Sequence, residues 1–404
     1  METLFREAKP ILEKLHEAGY QAYFVGGAVR DLLLNREIGD LDIATSAKPA
    51  IIQQLFEKTI DVGAEHGTII VLHNKRSYEV TTFRTESAYE DFRRPSQVTF
   101  ISSLKEDLRR RDFTINSMAM DIDGNLYDYF DGQQHLNDRM IQTVGKASER
   151  FSEDALRMLR AIRFVSQLQF SLNGDTKTAI IQNVSLLKNI STERKTVEFE
   201  KMLSGVHHQK ALQIMIDTRV YVYLPGLDSK RTQLLRFSQY NLSMLKSREE
   251  QWTMFVHHME IESIDLFLKE WKLPSKLIQS VVKNVALLHN LRHTDWTSLT
   301  LYQAGLITAM QVERVRLTLS LRTDNNDQLM GLETLYNNLP IKARDQLAVS
   351  GNDIVKVINQ KPGPWISKVL AILEKKVIDG ELENEKQAMK EWLLTCKQDF
   401  DPNY

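Results

Sequence analysis

The spacing of apolar residues changes character near residue 150 of the chain. Before that point, short β-branched and aromatic runs alternate with segments of helical period, which is typical of a mixed α/β domain. After Ser152, apolar residues recur at helical spacing, so one helix is predicted from Ser152 to Leu168. The predicted strands of the first part lie at residues 22–25, 40–44, 68–72, 78–83, 118–122 and 126–129, its first helices at 3–18 and 28–34, and a loop at 84–95.

Glycine follows the same division of the chain. Nine of the 17 glycines lie before residue 150, and the other eight are spread over the longer remainder. Turns are therefore dense at the front and sparse behind, as expected for a mixed α/β head followed by helical domains. We predict domain boundaries near residues 150, 205 and 295.

Composition narrows the class of protein. The 404 residues are too many for one ordinary core, and 42% hydrophobic with 26% charged residues predicts several folded domains. The formal net charge of −1 excludes a uniformly basic nucleic-acid coat, although local basic patches remain compatible with it. Cys396 is the only cysteine, which fits a reducing compartment such as the cytoplasm. We expect neither a signal peptide nor a membrane-spanning helix.

Two adjacent glycines stand where a predicted strand ends and a helix begins. Gly26 and Gly27 would let backbone N–H groups approach a phosphate closely, and the helix N-terminus adds a favourable dipole. Arg30 can add a charge-assisted contact. An ordinary strand–helix turn has the same appearance, so the two glycines carry little weight alone.

Carboxylates follow these glycines. On a strand, Asp40 and Asp42 project from one face while Leu41 enters the core, and paired carboxylates suit hard cations such as Mg²⁺. The position of this pair shortly after the glycines favours a metal site over a solvated turn. Glu79 alternates with Tyr78 on another predicted strand and would be a third carboxylate if that strand lies alongside. An exposed strand glutamate fits the sequence equally well.

Two further groups of charged residues consist mainly of arginines. Arg109, Arg110 and Arg111 run directly into an apolar segment, so at least one guanidinium is predicted near the cleft of the head, where a triphosphate would be a suitable ligand. A second group recurs at every third residue of the predicted helix after Ser152, among apolar neighbours. Its members are Asp154, Arg157, Arg160 and Arg163. Such a helix needs anionic partners if it is buried, or carries i,i+3 pairs if it faces solvent.

With these glycine, carboxylate and arginine motifs in this order, the chain resembles the class II tRNA nucleotidyltransferases, the bacterial CCA-adding enzymes. The similarity is specific between residues 22 and 203 and weaker but visible at 350–353 and 361–365. The segments that carry it are Gly26–Asp31, Asp40–Thr45, Arg110–Asn116, Asp128–Gly132, Glu153-Asp154 with Arg157, Ile190–Arg194 and Glu198–Leu203.

The resemblance implies an α+β fold, with an N-terminal nucleotidyltransferase (polymerase-beta-like) mixed-sheet head followed by an all-α neck, body and tail. We therefore expect the catalytic head at 1–150 and a neck with the nucleotide-selecting helix at 151–205. Helical tRNA-binding parts follow, the body at 206–295 and the tail at 296–404. The resemblance also allows a homodimer.

The implied reaction is template-independent addition of CCA to the 3′ end of tRNA from CTP and ATP, with release of pyrophosphate. Asp40 and Asp42 would hold two metal ions, Mg²⁺ or alternatively Mn²⁺, and Glu79 would orient or assist. The predicted triphosphate ligands are Gly27, Arg30 and Arg111.

Base selection is implied for the second group of charges. Asp154 only accepts hydrogen bonds and Arg157 only donates them, which suits the amino group and ring acceptors of cytosine or adenine. Uracil and guanine place an acceptor against the carboxylate. Arg160 and Arg163 are expected to brace Asp154 or to reach the triphosphate.

Three alternatives remain open from sequence. A bacterial poly(A) polymerase shares the head, although this chain has no long basic C-terminal extension. An enzyme adding only the terminal A would have nearly the same motifs. A non-catalytic RNA-binding protein on the same scaffold is disfavoured by the intact Asp40, Asp42 and Arg111.

Overall fold

The structure, a computed structural model, describes residues 3–86, 98–321 and 326–395, which form two compact units. Residues 1–239 with 270–272 belong to the first unit, and 240–269 with 273–404 to the second. None of the described helices is long and apolar enough to cross a membrane.

The first unit opens with a mixed sheet and continues with helices. Its strands are β1 (Ala22–Val25), β2 (Asp42–Thr45), β3 (Thr59–Gly63), β4 (Thr68–His73), β5 (Arg76–Thr82), β6 (Arg84–Glu86), β7 (Val98–Phe100), β8 (Met118–Met120), β9 (Leu126–Asp128), β10 (Met140–Ile141) and β11 (Ser171–Leu172). Its helices are α1 (Thr3–Glu17), α2 (Gly27–Leu33), α3 (Pro49–Leu55), α4 (Leu104–Arg109), α5 (Gly132–Asn137), α6 (Ala147–Glu153), α7 (Leu156–Leu168), α8 (Gly174–Asn183), α9 (Thr192–Leu203), α10 (His208–Asp217) and α11 (Arg231–Phe237).

Seven strands form the main sheet, in the order β3-β4-β5-β2-β1-β8-β9. Strands β2 and β5 run parallel, and every other neighbouring pair of this sheet is antiparallel. One face carries a buried cluster that includes Val25, Ala44 and Phe83. Helix α1 contributes Phe5, whose ring meets Phe24 of β1 edge to face at 4.9 Å. Strand β2 thus lies in the middle of the sheet, between β5 and β1.

Three sequence predictions about elements are wrong in detail. Strand β2 begins at Asp42, so Asp40 lies before the strand and is exposed. The helix predicted from Ser152 is two helices, α6 and α7, with Asp154 in the break. The predicted loop at 84–95 starts as strand β6, paired with β7, and its remainder from residue 87 lies outside the described residues.

The second unit contains helices and connecting loops, and no strand among its described residues. Its helices are α12 (Arg248–His258), α13 (Ile264–Glu270), α14 (Ser275–Asn290), α15 (Ser298–Ala304), α16 (Leu306–Leu319), α17 (Asn326–Asn337), α18 (Gly351–Ile358), α19 (Trp365–Ile378) and α20 (Lys386–Thr395). Glu250 is fully buried and forms an ion pair with Arg314 at 2.7 Å. The predicted boundaries at 150, 205 and 295 stay predictions.

Candidate active site

Two carboxylates of the head lie side by side on neighbouring strands, at the start of β2 and in the middle of β5. The parallel register places Asp42 of β2 opposite Glu79 of β5, while Leu41 and Ile43 are buried. Burial raises the pKa of Asp42 to about 6; the charge of Glu79 adds to the rise, Arg111 opposes it and Asp40 adds to it. Ionising the buried Asp42 carboxylate is therefore costly, and a bound cation would offset that cost.

This chemistry fits a hard divalent cation. Carboxylate oxygens are the preferred ligands of Mg²⁺, which keeps water or substrate oxygens in the rest of its shell. Within residues 3–86, 98–321 and 326–395, no group of three or more His, Cys, Asp or Glu side chains is arranged to hold a metal ion. A metal site here would therefore depend on two carboxylates, Asp40 and Asp42, completed by oxygens from outside the protein.

The turn between β1 and α2 closes against these carboxylates. Gly26 has a φ of +74°, and a Cβ built there would lie 3.0 Å from Nη1 of Arg111 and 3.7 Å from Oδ2 of Asp42. Only glycine meets both demands, the positive φ and the close approach. Gly27 begins α2, and its backbone conformation is ordinary.

Arg30, on α2, is already bound by protein groups. Its Nε and Nη2 donate to the carboxylate of Asp31 at 2.9 and 2.8 Å, and its Nη1 donates to Oδ1 of Asn116 at 2.7 Å. The guanidinium also lies 5.2 Å from the ring centroid of Phe164. A triphosphate at Arg30 would have to share or replace these partners.

Arg111 has donor capacity to spare. Its Nη2 lies 3.4 Å from Oδ2 of Asp107, and its buried Nε has no hydrogen-bond partner among the described residues. Burial alone would raise the pKa of Asp107, but Arg110 and Arg111 outweigh burial and lower it. Asp107 thus holds Arg111 near Asp42 without using all of its N–H groups.

Asp154 lies in the break between α6 and α7. Its Oδ1 accepts from the Leu156 backbone N–H at 3.0 Å and from Nη1 of Arg194 at 3.3 Å. Its Oδ2 accepts from Nη2 of Arg194 at 2.7 Å. The sequence reasoning did not assign Arg194 a role.

Arg157 is the second residue of α7, is buried and has its own partners. Its Nη1 donates to Glu153 at 2.6 Å and to the carbonyl of Arg150 at 3.1 Å, and its Nη2 donates to the carbonyl of Arg110 at 3.0 Å. These contacts join α7 to the end of α4.

Arg160 and Arg163 contact acids other than Asp154. Arg160 binds Asp112 at 2.6 Å, and Glu198 of α9 lies 3.7 Å from Arg160 and 3.2 Å from Arg163. Burial alone would raise the pKa of Asp112, but Arg160 and the hydrogen bond from Asn116 hold it well below its usual range. Burial lowers the pKa of Arg163 to about 10. The expectation that these arginines brace Asp154 or reach a triphosphate stays a prediction.

The acidic partners of Arg111, Arg160 and Arg163 were not predicted from the sequence. Asp107 stands four residues before Arg111, and that i,i+4 spacing was a usable signal. Asp112 and Glu198 lie within segments that carry the family resemblance, but their partners are distant in sequence.

Comparison with known families defines the class. The family described as "Poly A polymerase head domain" matches residues 22–142, and "tRNA nucleotidyltransferase domain 2 putative" matches residues 243–393. A third, "Probable RNA and SrmB- binding site of polymerase A", matches residues 169–231. The protein is therefore a nucleotidyltransferase with the mixed-sheet head of that class, which confirms the predicted fold class.

Similarity to individual proteins extends over the whole chain. A CCA-adding enzyme of Geobacillus sp. is 50% identical over 397 residues, covering 98% of each chain, and that of Bacillus subtilis is 48% identical over 98% of this chain and all of the relative. The crystal structure of the Bacillus stearothermophilus CCA-adding enzyme in complex with CTP superposes with a TM-score of 0.93, at 43% identity and full coverage of both chains. This chain belongs to the CCA-adding enzyme family, as its sequence motifs predicted.

Proposed function

We propose that this protein adds C, C and A in turn to the 3′ end of tRNA from CTP and ATP, without a nucleic-acid template. The observation that carries the proposal is that Asp42 and Arg111 meet at the glycine turn of Gly26, with Glu79 opposite Asp42 on the neighbouring strand. Carboxylates beside a guanidinium and a glycine turn suit a metal-assisted reaction at a triphosphate. Family membership over the full chain supports the same reaction.

In this reaction the 3′-hydroxyl oxygen of the tRNA forms a bond to the α-phosphorus, and the bond to the pyrophosphate oxygen breaks. Asp40 and Asp42 would hold divalent cations, with Mg²⁺ proposed and Mn²⁺ as the alternative. When bound, such ions lower the pKa of an attacking hydroxyl and neutralise charge on a leaving oxygen. Glu79 is proposed to orient Asp42, its neighbour across the strand pair.

The triphosphate is proposed to lie against the β1–α2 turn. Gly26 and Gly27 leave room for phosphate oxygens beside the backbone, where a Cβ at Gly26 would already contact Arg111. Arg111 is proposed to contact a phosphate oxygen through Nη1, which lies at the Gly26 turn, whereas Arg30 would contribute after sharing its contacts with Asp31.

Base choice is proposed to depend on Asp154 and Arg157. A carboxylate accepts the amino group of cytosine or adenine, and a guanidinium donates to their ring acceptors. Uracil and guanine would set a carbonyl oxygen against the carboxylate, and each unpaired buried group costs about 1–3 kcal/mol.

A tRNA substrate also makes the cytoplasm the proposed place of action.

The test uses three tRNAs that end before CCA, at C, and at CC. Each is incubated with CTP, ATP or both in Mg²⁺, the 3′ ends are sequenced, and Asp40→Ala is the control. Ends that stop at CCA on all three tRNAs, and that are absent with Asp40→Ala, are expected. Addition of A to the CC-ended tRNA alone would reduce the function to terminal-A addition, and long A tails would refute CCA addition.

A further inference from the structure

The flanking helices orient Asp154 only in part, through the Leu156 backbone N–H of α7, which donates to Oδ1 at 3.0 Å. Asp154 lies between α6 and α7, so this local contact holds one carboxylate oxygen and a tertiary partner is needed to hold the other. Arg194 is that partner, with two N–H groups directed at the two carboxylate oxygens. The two side chains are 22% and 17% exposed, so the pair lies at a rim and not on open surface.

We propose that Arg194 is a positioning residue for nucleotide selection, acting through Asp154. The inference rests on the proposed function of Asp154 as the group that reads the base amino group. A two-pronged guanidinium–carboxylate pair fixes the plane of the carboxylate as well as its position. An aspartate carboxylate held by one contact can rotate about its Cβ–Cγ bond and accept hydrogen bonds from many directions.

The partners of Asp154 determine which of its acceptor sites stays open. Among the residues that the structure describes, Oδ1 takes two donors, from Leu156 and Arg194, whereas Oδ2 takes one. Each carboxylate oxygen has about two acceptor sites. Oδ2 therefore offers the remaining acceptor in a direction that Arg194 determines.

Arg194 is itself presented from a firmly packed helix. It lies in the first turn of α9, next to Lys195, whose Nζ donates to the carbonyl of Tyr223 at 3.1 Å. One turn further along, buried Glu198 binds Arg163 of α7 at 3.2 Å. These contacts hold α9 against α7, so the distance between Arg194 and Asp154 is set by packed helices and not by a loop.

The experiment compares selectivity ratios of Arg194→Met, Arg194→Lys and the wild type in single-turnover extension. CTP competes with UTP on tRNA lacking CCA, and ATP competes with GTP on tRNA ending in CC. Lys201→Met is the matched control, since Lys201 is exposed on the same helix. We expect Arg194→Met to lower both ratios by roughly tenfold, the range of one to two well-formed hydrogen bonds, with Arg194→Lys intermediate and the control unchanged.

A double mutant separates positioning from general damage to the fold. If Arg194 acts through Asp154, the double variant with Asp154→Ala selects no worse than Asp154→Ala alone. Selectivity of Arg194→Met equal to that of Lys201→Met, or independent losses in the double variant, would overturn the proposal. If thermal melting shows that Arg194→Met fails to fold, the ratio for Arg194→Lys decides. Failure of the wild type to extend tRNA would instead refute the proposed function.

Discussion

Replacing Asp112 by asparagine tests the buried charge network that joins the head segment to α7. Four hydrogen bonds converge on this carboxylate. Oδ2 accepts two from Arg160, at 2.7 and 2.6 Å, and Oδ1 accepts from the Phe113 backbone N–H at 2.8 Å and from Asn116 at 3.1 Å. Asparagine keeps the shape and can keep the contacts at Oδ1. It then turns its NH₂ group toward the guanidinium of Arg160, so donors face donors.

The expected loss in free energy of unfolding depends on the acidic partners that Arg160 keeps in the variant. Its other ion-pair partner in the described part of the chain is Glu198 at 3.7 Å, which Arg163 also contacts. Breaking a buried ion pair by removing one partner costs about 3–5 kcal/mol. The side chain of Arg160 is 31% exposed, so water recovers part of its solvation and the lower end, about 3 kcal/mol, is expected. In a unit of this size that lowers the melting temperature by roughly 6–12 °C.

The penalty should depend on pH with a definite sign. The pKa of Asp112 is lower in the folded protein than its ordinary value of about 4. Its contribution to stability is therefore complete above that ordinary value and is lost as the pH falls below it. The difference in free energy of unfolding between wild type and Asp112→Asn should be largest near pH 7 and should shrink below about pH 4.

Differential scanning calorimetry of both proteins, with Asp123→Asn as the control, measures this difference. Asp123 is an exposed aspartate of the same unit, and its replacement should leave the transition in place. A loss for Asp112→Asn below about 1 kcal/mol at pH 7 would refute the estimate for a buried pair. A difference that stays constant from pH 7 to pH 3 would refute the assignment to the Asp112 carboxylate.

Three further substitutions address the candidate active site. Asp42→Asn should lower the rate of nucleotide addition by about 10³-fold or more. The metal-free variant should nevertheless be at least as stable as the wild type in urea at pH 7, because burial disfavours the charged carboxylate of Asp42. Gly26→Ala should lower the free energy of unfolding by about 1–3 kcal/mol and raise the KM for CTP, since the new methyl group contacts Arg111 and the residue has a positive φ. Gly27→Ala, at an ordinary φ, should lower the free energy of unfolding by less in the same urea series. Asp154→Ala should reduce discrimination against UTP and GTP by roughly 5- to 150-fold in competition assays and leave the Mg²⁺ dependence unchanged; undiminished discrimination would exclude base reading by Asp154.

Local pattern was sufficient to predict much of the head. Strand β1 coincides with the predicted 22–25, and β4 begins at the predicted residue, because alternation and β-branching report strand formation directly. Strand β3 was not predicted, since this short edge strand is mostly exposed and has little alternation to detect. The break at Asp154 was missed because apolar residues keep a helical spacing across it, with Phe151 and Ala155 four residues apart and Leu159 four residues further on.

The candidate site was less accessible to sequence reasoning. Asp42 and Glu79 were recognisable as strand carboxylates, but their parallel pairing depends on the order of strands in the sheet. The pairs Asp154–Arg194 and Asp112–Arg160 join residues 40 and 48 positions apart. No local period encodes such a distance, so the partners of the charged residues emerge only from the packing of α7 against α9 and the head.

These partners bear on how a fixed set of charges can select a base. An unpaired buried guanidinium or carboxylate is expensive, so each group that is proposed to read the base already has an opposite charge in the structure. Arg157 has Glu153 and Asp154 has Arg194. A ligand that matches their remaining donors and acceptors adds hydrogen bonds without disturbing the pairs, whereas a mismatched base must break a pair or stay unpaired. Selectivity on this view is a property of the paired charges and of the helices that hold them, and transplanting Asp154 and Arg157 without Glu153 and Arg194 should not reproduce it.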